Sequence, residues 1–215
     1  MSTMRPAVHQ VLATLGYGDA IGHEVLGIQR VLRAAGYASD IFVETADPRL
    51  ESLTRDYREL VDASHPDNLL LHHFSIGSKA SRTAYALPDR MALIYHNITP
   101  PEFYAPFNPT LAAQLRLGRE RLQTHFFGDA LRLCAGTAFN QAELRAWGYH
   151  NQRIAHVPYV VSPERVQHGA ASASGQRLSA QIRAQGQTHW LYVGRIAPNK
   201  RQDALVRAFA HYRQH

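Results

Sequence analysis

The 215-residue sequence has a single cysteine, Cys134, and only two lysines, Lys79 and Lys200, beside 21 arginines. One cysteine excludes a disulfide within the chain and fits a reducing compartment. We interpret Cys134 as a small buried hydrophobic residue, because no residue near it suggests a reactive thiolate. In a chain that otherwise uses arginine, the lysine at position 200 is an unusual choice and therefore a candidate for a specific role.

Long hydrophobic runs are also missing. No stretch approaches the ~18 apolar residues of a membrane span, and the first ten residues lack the apolar centre of a signal peptide, so we expect a cytoplasmic protein. The formal charge of +6 favours anionic partners, such as phosphates, nucleic acid or an anionic membrane. Because the basic residues are spread along the chain, we expect no nucleic acid among the partners.

Missing motifs exclude two classes of enzyme. No Gly-Lys-Ser or Gly-Lys-Thr occurs, which excludes a P-loop NTPase. His23 and Glu24 begin a zinc-protease motif, but Gly27 stands where its second histidine belongs. The adjacent residues His72 and His73 fall in a predicted strand and point to opposite faces, so they cannot chelate one metal ion. We expect no metal and no cofactor.

Apolar runs alternate with amphipathic stretches along the whole chain. This alternation predicts an α/β fold, a Rossmann-like parallel sheet with right-handed crossovers and helices on both faces. The predicted strands are residues 8–15, 41–44, 68–74, 91–95, 131–135, 154–157 and 190–193. The predicted helices are residues 25–35, 47–62, 110–127, 140–147 and 177–184, and a last one that carries Leu205, Val206, Phe209 and Tyr212.

A glycine-rich turn, residues 16–22, follows the first strand. Its amide groups lie at a helix N-terminus, which favours anions. The spacing is GxGxxxG rather than GxGxxG, so a dinucleotide-binding oxidoreductase is only weakly indicated, although Glu44 ends the next strand where a ribose-binding acid would lie. Asp19 has a simpler interpretation as the N-cap of the helix, and both interpretations can hold together.

The strand at 91–95 is followed by His96 and Asn97 and then by two prolines, Pro100 and Pro101. The prolines stop any helix and hold His96 and Asn97 at the carboxyl edge of the sheet, where open α/β sheets bind ligands. The alternative for His96 is a structural histidine with all its hydrogen bonds satisfied. Of the two histidines in the preceding strand, we expect one in the core and one lining the cleft, with His73 the candidate.

The stretch 188–210 predicts a strand, a loop and a helix. Gly194 ends the apolar run, and the loop that follows carries Arg195, Pro198 and Lys200. Arg195 offers a planar fork that suits phosphate oxygens, and Lys200 offers a compact charge. The alternative is an ordinary strand-helix unit with two solvated basic residues.

Three motifs, YGDAIGHE, YHNITPPEF and VGRIAPNK, resemble glycosyltransferase family 4, and the resemblance extends over essentially the whole chain. The family has the two-domain GT-B fold. The resemblance implies an N-terminal, acceptor-side Rossmann-like domain at 1–161, a linker at 162–187 and the start of a nucleotide-sugar-binding domain at 188–215. Family members carry two glutamates further on that hold the donor, so we expect the second Rossmann-like domain to be only begun and the 215 residues to be incomplete.

The function implied by the resemblance is that of a retaining glycosyltransferase of the hexosyltransferase type, active in polysaccharide or glycoconjugate biosynthesis. It would move a sugar from a nucleotide-diphosphate sugar to a glycan, a lipid-linked or another hydroxyl acceptor, without a metal. A noncatalytic nucleotide- or sugar-binding module, or a truncated subunit, is the alternative. The resemblance places Gly18, Arg195 and Lys200 on the donor diphosphate, His96 beside the transferred sugar, and Asp19, Ala20, His73 and Asn97 along the cleft.

The predicted helix at 110–127 carries Arg116, Arg119, Arg121 and His125 mostly away from its apolar face. If the acceptor is membrane-bound, these residues could rest on anionic lipid at the inner face of the membrane. The alternative is a solvated basic face.

Overall fold

The computed structural model describes residues 6–124, 132–149, 154–159 and 163–214. Its sheet has seven strands, all parallel, in the order β3-β2-β1-β4-β5-β6-β7. The predicted Rossmann-like α/β fold is therefore confirmed. The strands are β1 (Val8–Leu15), β2 (Ile41–Ala46), β3 (Arg55–Asp56), β4 (Leu69–Phe74), β5 (Arg90–Tyr95), β6 (Arg132–Ala135) and β7 (Ile154–His156).

Eight helices accompany the strands in the described ranges. They are α1 (Ala20–Ala34), α2 (Leu60–Ala63), α3 (Lys79–Tyr85), α4 (Pro109–Thr124), α5 (Ala138–Ala146), α6 (Pro163–Ala171), α7 (Ala173–Ala184) and α8 (Gln202–Tyr212). Hydroxyl or carboxylate side chains of Asp19, Ser78, Thr137 and Ser172 cap the N-termini of α1, α3, α5 and α7.

Helices cover both faces of the sheet, as the alternating pattern predicts. In β1, Leu12 packs with Val25 of α1, whereas its neighbour Val11 packs with Ala80 of α3. Successive side chains of a strand point to opposite faces, so α1 and α3 lie on opposite sides of the sheet. Burial on both faces explains why β1, β4 and β5 read as nearly unbroken apolar runs.

The helix predicted over residues 47–62 is wrong. This stretch forms short 3₁₀ turns, the two-residue strand β3 and the one-turn helix α2. The guanidinium of Arg55 donates a hydrogen bond to the carboxylate of Asp40. Asp56 and Glu59 form a capping box, and this box starts a new turn after β3. Local polar contacts therefore override the helical spacing of the apolar residues. Helix α3 was not predicted, because its seven residues carry no apolar stripe.

Some predicted elements extend past the described ranges. The end of the helix predicted over 110–127, the first residue of the strand predicted over 131–135 and the side chain of His125 lie outside them. Within the described ranges, these two elements are α4 and β6. No helix in the described ranges combines the length and the apolar character that a membrane span requires.

The chain divides into two compact units, residues 1–160 and 161–215. In the second unit, the serine-, alanine- and glycine-rich stretch predicted as a linker is helical and forms α6 and α7. Helix α8 agrees with the prediction for the end of the chain.

The strand predicted at 190–193 is wrong. These residues have no regular structure, and the side chains of Leu191 and Val193 are 87% and 85% exposed. A parallel strand depends on a neighbouring strand for its hydrogen bonds. The described residues of the second unit include no strand that could pair with this stretch. The ring of Trp190 packs on α8, with its centroid 5.2 Å from that of Phe209 and 5.5 Å from that of Tyr212.

Candidate functional site

The strand order reverses direction between β1 and β4. The chain passes from β1 to β2 and β3 on one side, and from β4 through β5 and β6 to β7 on the other. In open α/β sheets, ligands bind at such a switch point, outside the carboxyl ends of the strands. Here that edge is formed by the turn between β1 and α1 and by the exits of β4 and β5.

The turn between β1 and α1 is exposed and tightly built. Gly18 has a φ of +78°, which glycine adopts without strain. Asp19 caps α1 by accepting a hydrogen bond from the amide of Gly22, so its interpretation as an N-cap is confirmed. A Cβ on Gly22 would lie 2.4 Å from the carbonyl oxygen of Gly16, so the turn needs glycine there. Gly18, Asp19 and Ala20 are exposed, as a ligand-facing turn requires.

Beneath this edge runs a buried row of three polar side chains. The amide nitrogen of Gln10 donates to the carbonyl oxygen of Val25 at 3.0 Å. The amide oxygen of Gln10 lies 3.0 Å from Nε2 of His73. The Nδ1 atom of His73 then lies 2.9 Å from Nε2 of His96, and the two imidazole rings stack with centroids 5.2 Å apart. The structure thus brings His73 and His96 together.

The direction of the row fixes where its protons are. A carbonyl oxygen only accepts, so Gln10 must donate to Val25 through nitrogen and accept through oxygen. His73 must then carry its proton on Nε2, which leaves its Nδ1 to accept from the Nε2 proton of His96. The remaining nitrogen of a neutral His96, Nδ1, is consequently a bare lone pair.

Glu24 of α1 faces that lone pair. Its Oε2 atom lies 3.8 Å from Nδ1 of His96, and the two side chains are 2% and 1% exposed. Among the described residues, neither of these two atoms has a hydrogen-bond partner. Burial raises the pKa of Glu24 to about 7 and lowers the pKa of His96 to about 4. The two groups are therefore close but do not form an ion pair at neutral pH.

His72 and His73 point to opposite faces, as their adjacent positions in β4 predict. His72 lies 3.0 Å from the hydroxyl of Ser81 and packs edge-on against Phe74 and Tyr85. Burial lowers the pKa of His72 to about 3, so this ring is a neutral part of the core. His73 is the one that reaches His96, although it is as deeply buried as His72.

The ring of Tyr159 lies over His96. The two rings are nearly parallel, with centroids 6.1 Å apart, and Asn140 holds the tyrosine hydroxyl at 3.3 Å. A Cβ on Gly136 would come within 2.6 Å of the same tyrosine ring, so glycine makes room for it. Since α1, His73 and Tyr159 cover His96, direct contact between its ring and a ligand requires some of these groups to move.

The turn after β5 has an unusual backbone. Asn97 has a φ of +59°, is exposed, and lies directly after His96. A left-handed conformation in a residue other than glycine marks backbone that the surroundings hold in place, often at a functional site. Here the amide of His96 donates to the carbonyl oxygen of Phe74 at 3.0 Å, and the amide of Ile98 donates to the hydroxyl oxygen of Tyr95 at 3.1 Å.

An ion pair fastens the same turn. Arg119 of α4 donates to the carbonyl oxygen of Ile98 and to the carboxylate of Glu143, each at 2.7 Å. Glu143 in turn accepts from the hydroxyl of Tyr95. The guanidinium also lies 4.8 Å from the ring centroid of Trp147. Arg119 is thus engaged inside the protein and cannot belong to a lipid-facing surface, which corrects that part of the prediction for the basic helix face.

Arg195 and Lys200 lie in the second unit. The carbonyl oxygen of Arg195 accepts from the side chain of Gln202 at 2.7 Å, and Lys200 ends a single 3₁₀ turn, Pro198–Lys200. The next residue, Arg201, has a φ of +52° and precedes α8. Both predicted phosphate-binding side chains are exposed, and no other described residue engages either of them.

Other predicted positions have different surroundings from those expected. Glu44 accepts a hydrogen bond from the amide of Ala80 at 2.7 Å. Its carboxylate is therefore engaged at the N-terminus of α3 and is not free to bind a ribose. Cys134 is half-buried, and burial raises the pKa of its thiol. Gln10 and Glu24 were missed as site residues. Gln10 could have been noticed as a polar residue inside the apolar run of β1, whereas no sequence signal marks Glu24 as buried.

No protein-family model matches the chain, and no curated protein matches it. The resemblance to glycosyltransferase family 4 therefore rests on the three motifs alone.

Proposed function

We propose that the protein is a retaining glycosyltransferase of family 4, which transfers a sugar from a nucleotide-diphosphate sugar to a hydroxyl acceptor. The observation that carries the proposal is the buried row of Gln10, His73 and His96, with Glu24 beside it, under the carboxyl edge of the sheet. Burying polar groups costs free energy that an apolar core avoids. Clusters of this kind, with shifted pKa values, are concentrated at functional sites.

In the first unit, the proposed ligand-facing layer is the exposed turn Gly18, Asp19 and Ala20 together with Asn97. Amide groups at the start of α1 favour an anionic or strongly polar ligand. His96 orients the sugar in this proposal as the end of the buried row, directly before the exposed turn at Asn97.

In the second unit, Arg195 and Lys200 bind the donor diphosphate. Their exposed side chains and the absence of competing partners in the described ranges leave both charges available. An arginine fork and a lysine ammonium can balance much of the charge that develops on a departing nucleoside diphosphate, so a metal ion is not required.

The proposed acceptor is a glycan or a lipid-linked hydroxyl. On α4, Arg116 is exposed, and Phe107, just before this helix, is 73% exposed. These residues could support peripheral contact with an anionic membrane from the cytoplasmic side, whereas Arg119 could not.

The proposed diphosphate site is tested by calorimetric titration of the protein with UDP and with GDP. We expect Arg195→Ala and Lys200→Ala each to weaken binding about tenfold, because each removes a charge-assisted contact. Arg183→Ala is the matched control, since it removes an exposed arginine of α7 in the same unit. Equal affinities in the wild type, the two site variants and the control would contradict the proposal.

A binding module without transfer activity is the second candidate. The observation that favours it is the stretch 190–193, which is not paired into a sheet and so gives the loop at Arg195 no rigid support. Release of UDP or GDP from sugar nucleotides, measured with a range of hydroxyl acceptors, separates the two functions. Binding without acceptor-dependent release would favour the module.

A further inference from the structure

Glu24 is buried in a position that local sequence does not explain. It lies in the second turn of α1, on the face that packs against the sheet beside Val25. A carboxyl group so placed needs a hydrogen-bond donor or a cation. Among the described residues, its Oε2 atom has no hydrogen-bond donor and no cation within hydrogen-bond distance. The ring nitrogen Nδ1 of His96 lies 3.8 Å from it.

The hydrogen-bonded row that ends at His96 leaves one acceptor, Nδ1 of His96, without a donor among the described residues. Hydrogen bonds join Val25 to Gln10, Gln10 to His73 and His73 to His96, and the row stops at the Nδ1 lone pair. That atom requires a donor, and a carboxylic acid is a donor whereas a carboxylate is not. Two buried atoms that lack partners therefore face each other, and one proton between them would satisfy both.

We propose that Glu24 is a positioning residue for His96, and that its carboxyl proton supplies the hydrogen bond that Nδ1 of the ring lacks. The inference rests on the proposed function for the part of His96 in sugar binding. For a hydrogen bond to form, the 3.8 Å gap between the two atoms must close by about 0.8 Å.

The surroundings of Glu24 favour the protonated acid. The titratable groups near it are His96 after β5, Cys134 of β6 and Tyr159 after β7. Burial lowers the pKa of His96 and raises the pKa values of the thiol and the phenol, so all three are neutral at neutral pH. The described residues around Glu24 thus provide no cation to balance a carboxylate, and burial disfavours that charge.

As a consequence, the hydrogen bond that fixes the His96 ring depends on pH. With its proton, Glu24 ties the ring to α1, so that the row of hydrogen bonds that starts at the carbonyl oxygen of Val25 returns to the same helix. Without it, a buried carboxylate faces a lone pair, and the two acceptors repel each other. Among the described residues, the ring then keeps its hydrogen bond to His73 but gains none at Nδ1, which loosens the group that orients the sugar.

The test uses ¹⁵N nuclear magnetic resonance of histidine rings in protein labelled at histidine, from pH 5 to pH 9. Signals of His96 are identified by their loss in His96→Phe. In the wild type we expect a neutral ring with its proton on Nε2 and a change in the Nδ1 signal centred near pH 7, where Glu24 loses its proton. Glu24→Gln keeps a donor of the same shape at every pH, so the change near pH 7 should disappear while the hydrogen bond stays.

Glu24→Leu supplies the opposite control, because it fills the space without a donor. Its His96 Nδ1 signal should be that of an unbonded lone pair at all pH values. A change near pH 7 that persists in Glu24→Gln, or a proton on Nδ1 in the wild type, would overturn the inference. Thermal melts of each variant identify any that fail to fold, and Glu24→Gln, which is nearly isosteric, is expected to fold.

The ring measurement needs no sugar nucleotide, so it separates this inference from the proposed function. If the titration is absent but UDP or GDP binds through Arg195 and Lys200, Glu24 is not the positioning residue and the proposed function stands. If the titration is present but neither UDP nor GDP binds, Glu24 is the positioning residue for His96 and the proposed function is wrong. Where transfer is detected, kcat/KM should fall above pH 7 in the wild type and stay level in Glu24→Gln, a difference that a purely structural role would not produce.

Discussion

Each unit contains a short apolar stretch of similar character. The stretch in the first unit is a buried strand, whereas the one in the second unit is largely exposed and has no regular structure. Strand β5 lies between β4 and β6, and its residues from Met91 to Tyr95 are buried. The run from Trp190 to Val193 has the same apolar character but no regular structure, and Leu191 and Val193 are exposed. The difference shows that an apolar run becomes a strand only where neighbouring strands satisfy its backbone hydrogen bonds.

Arginine residues show the same contrast. In the first unit, Arg119 is fixed by a carbonyl oxygen, a carboxylate and an indole ring, and it shapes the turn after β5. In the second unit, the side chain of Arg195 is exposed and is engaged by no described residue. The first arginine therefore serves the architecture, and the second is available for a ligand.

The largest effect is expected for Leu93→Ala, because Leu93 is fully buried at the centre of β5. It should lower the free energy of unfolding by about 4 kcal/mol through lost burial and the cavity left behind. The matched change Leu191→Ala in the second unit should alter it by less than about 0.5 kcal/mol. Urea denaturation of both variants measures the comparison, and equal losses would show that 190–193 is buried in solution.

Arg119→Met should lower the free energy of unfolding by about 3 kcal/mol, because it removes the cation that balances the Glu143 carboxylate and the donor to the carbonyl oxygen of Ile98. Arg58→Met removes an arginine from an exposed pair with Asp56 and should leave stability nearly unchanged. Denaturation of the two variants tests the difference. A negligible effect of Arg119→Met would mean that the turn at His96 is held by other contacts.

The stability of the wild type should fall with rising pH relative to Glu24→Gln. Burial raises the pKa of Glu24 in the folded state from its ordinary value to about 7, so the unfolded chain releases the proton at lower pH. The stability that protonated Glu24 gives is present at low pH and is lost as the pH rises through 7. Between pH 5 and pH 7.5 the difference amounts to about 2 kcal/mol.

The histidines of the site titrate in both proteins of this pair, so the difference between the two stability curves isolates Glu24. It is measured by chemical denaturation at several pH values. A difference that does not change with pH would argue that Glu24 is ionised in the fold.

Gly118→Ala should lower the free energy of unfolding by about 1.5 kcal/mol, because its Cβ would lie 2.7 Å from the amide nitrogen of Gly77. This contact sets α4 against the loop after β4. Gly169→Ala in α6 of the second unit has no atom within 4 Å of the new Cβ and should stabilise the helix by up to about 1 kcal/mol. Thermal melts of the pair compare the two units, and the same sign of change in both would contradict the packing described here.

Much of the sheet is predictable from the sequence, because buried parallel strands leave a strong pattern. Strand β1 is predicted to the residue, and β4 and β5 to within one residue, since each is an apolar run with clear boundaries. Strand β3 has two residues, which is too short to show an apolar pattern. The stretch at 190–193 shows that an apolar pattern alone cannot tell whether a neighbouring strand is present to pair with it.

The site is predictable only in part. His73, His96 and Asn97 follow from their places at the ends of strands, but the hydrogen bond between the two rings and the left-handed backbone of Asn97 do not. Glu24 lies 72 positions before His96 and meets it only because α1 folds back over the sheet. The roles of Arg195 and Lys200 stay predictions, because exposure fits both a ligand site and a solvated loop.

The most direct measurement of the central claim is an amide chemical-shift titration of the ¹⁵N-labelled protein with a nucleotide sugar, such as UDP-glucose or GDP-mannose. The account predicts saturable shifts at Gly18, Ala20 and Asn97, at the carboxyl edge of the sheet, and at Arg195 and Lys200. Shifts confined to other surfaces, or no shifts at all with a panel of nucleotide sugars, would contradict it.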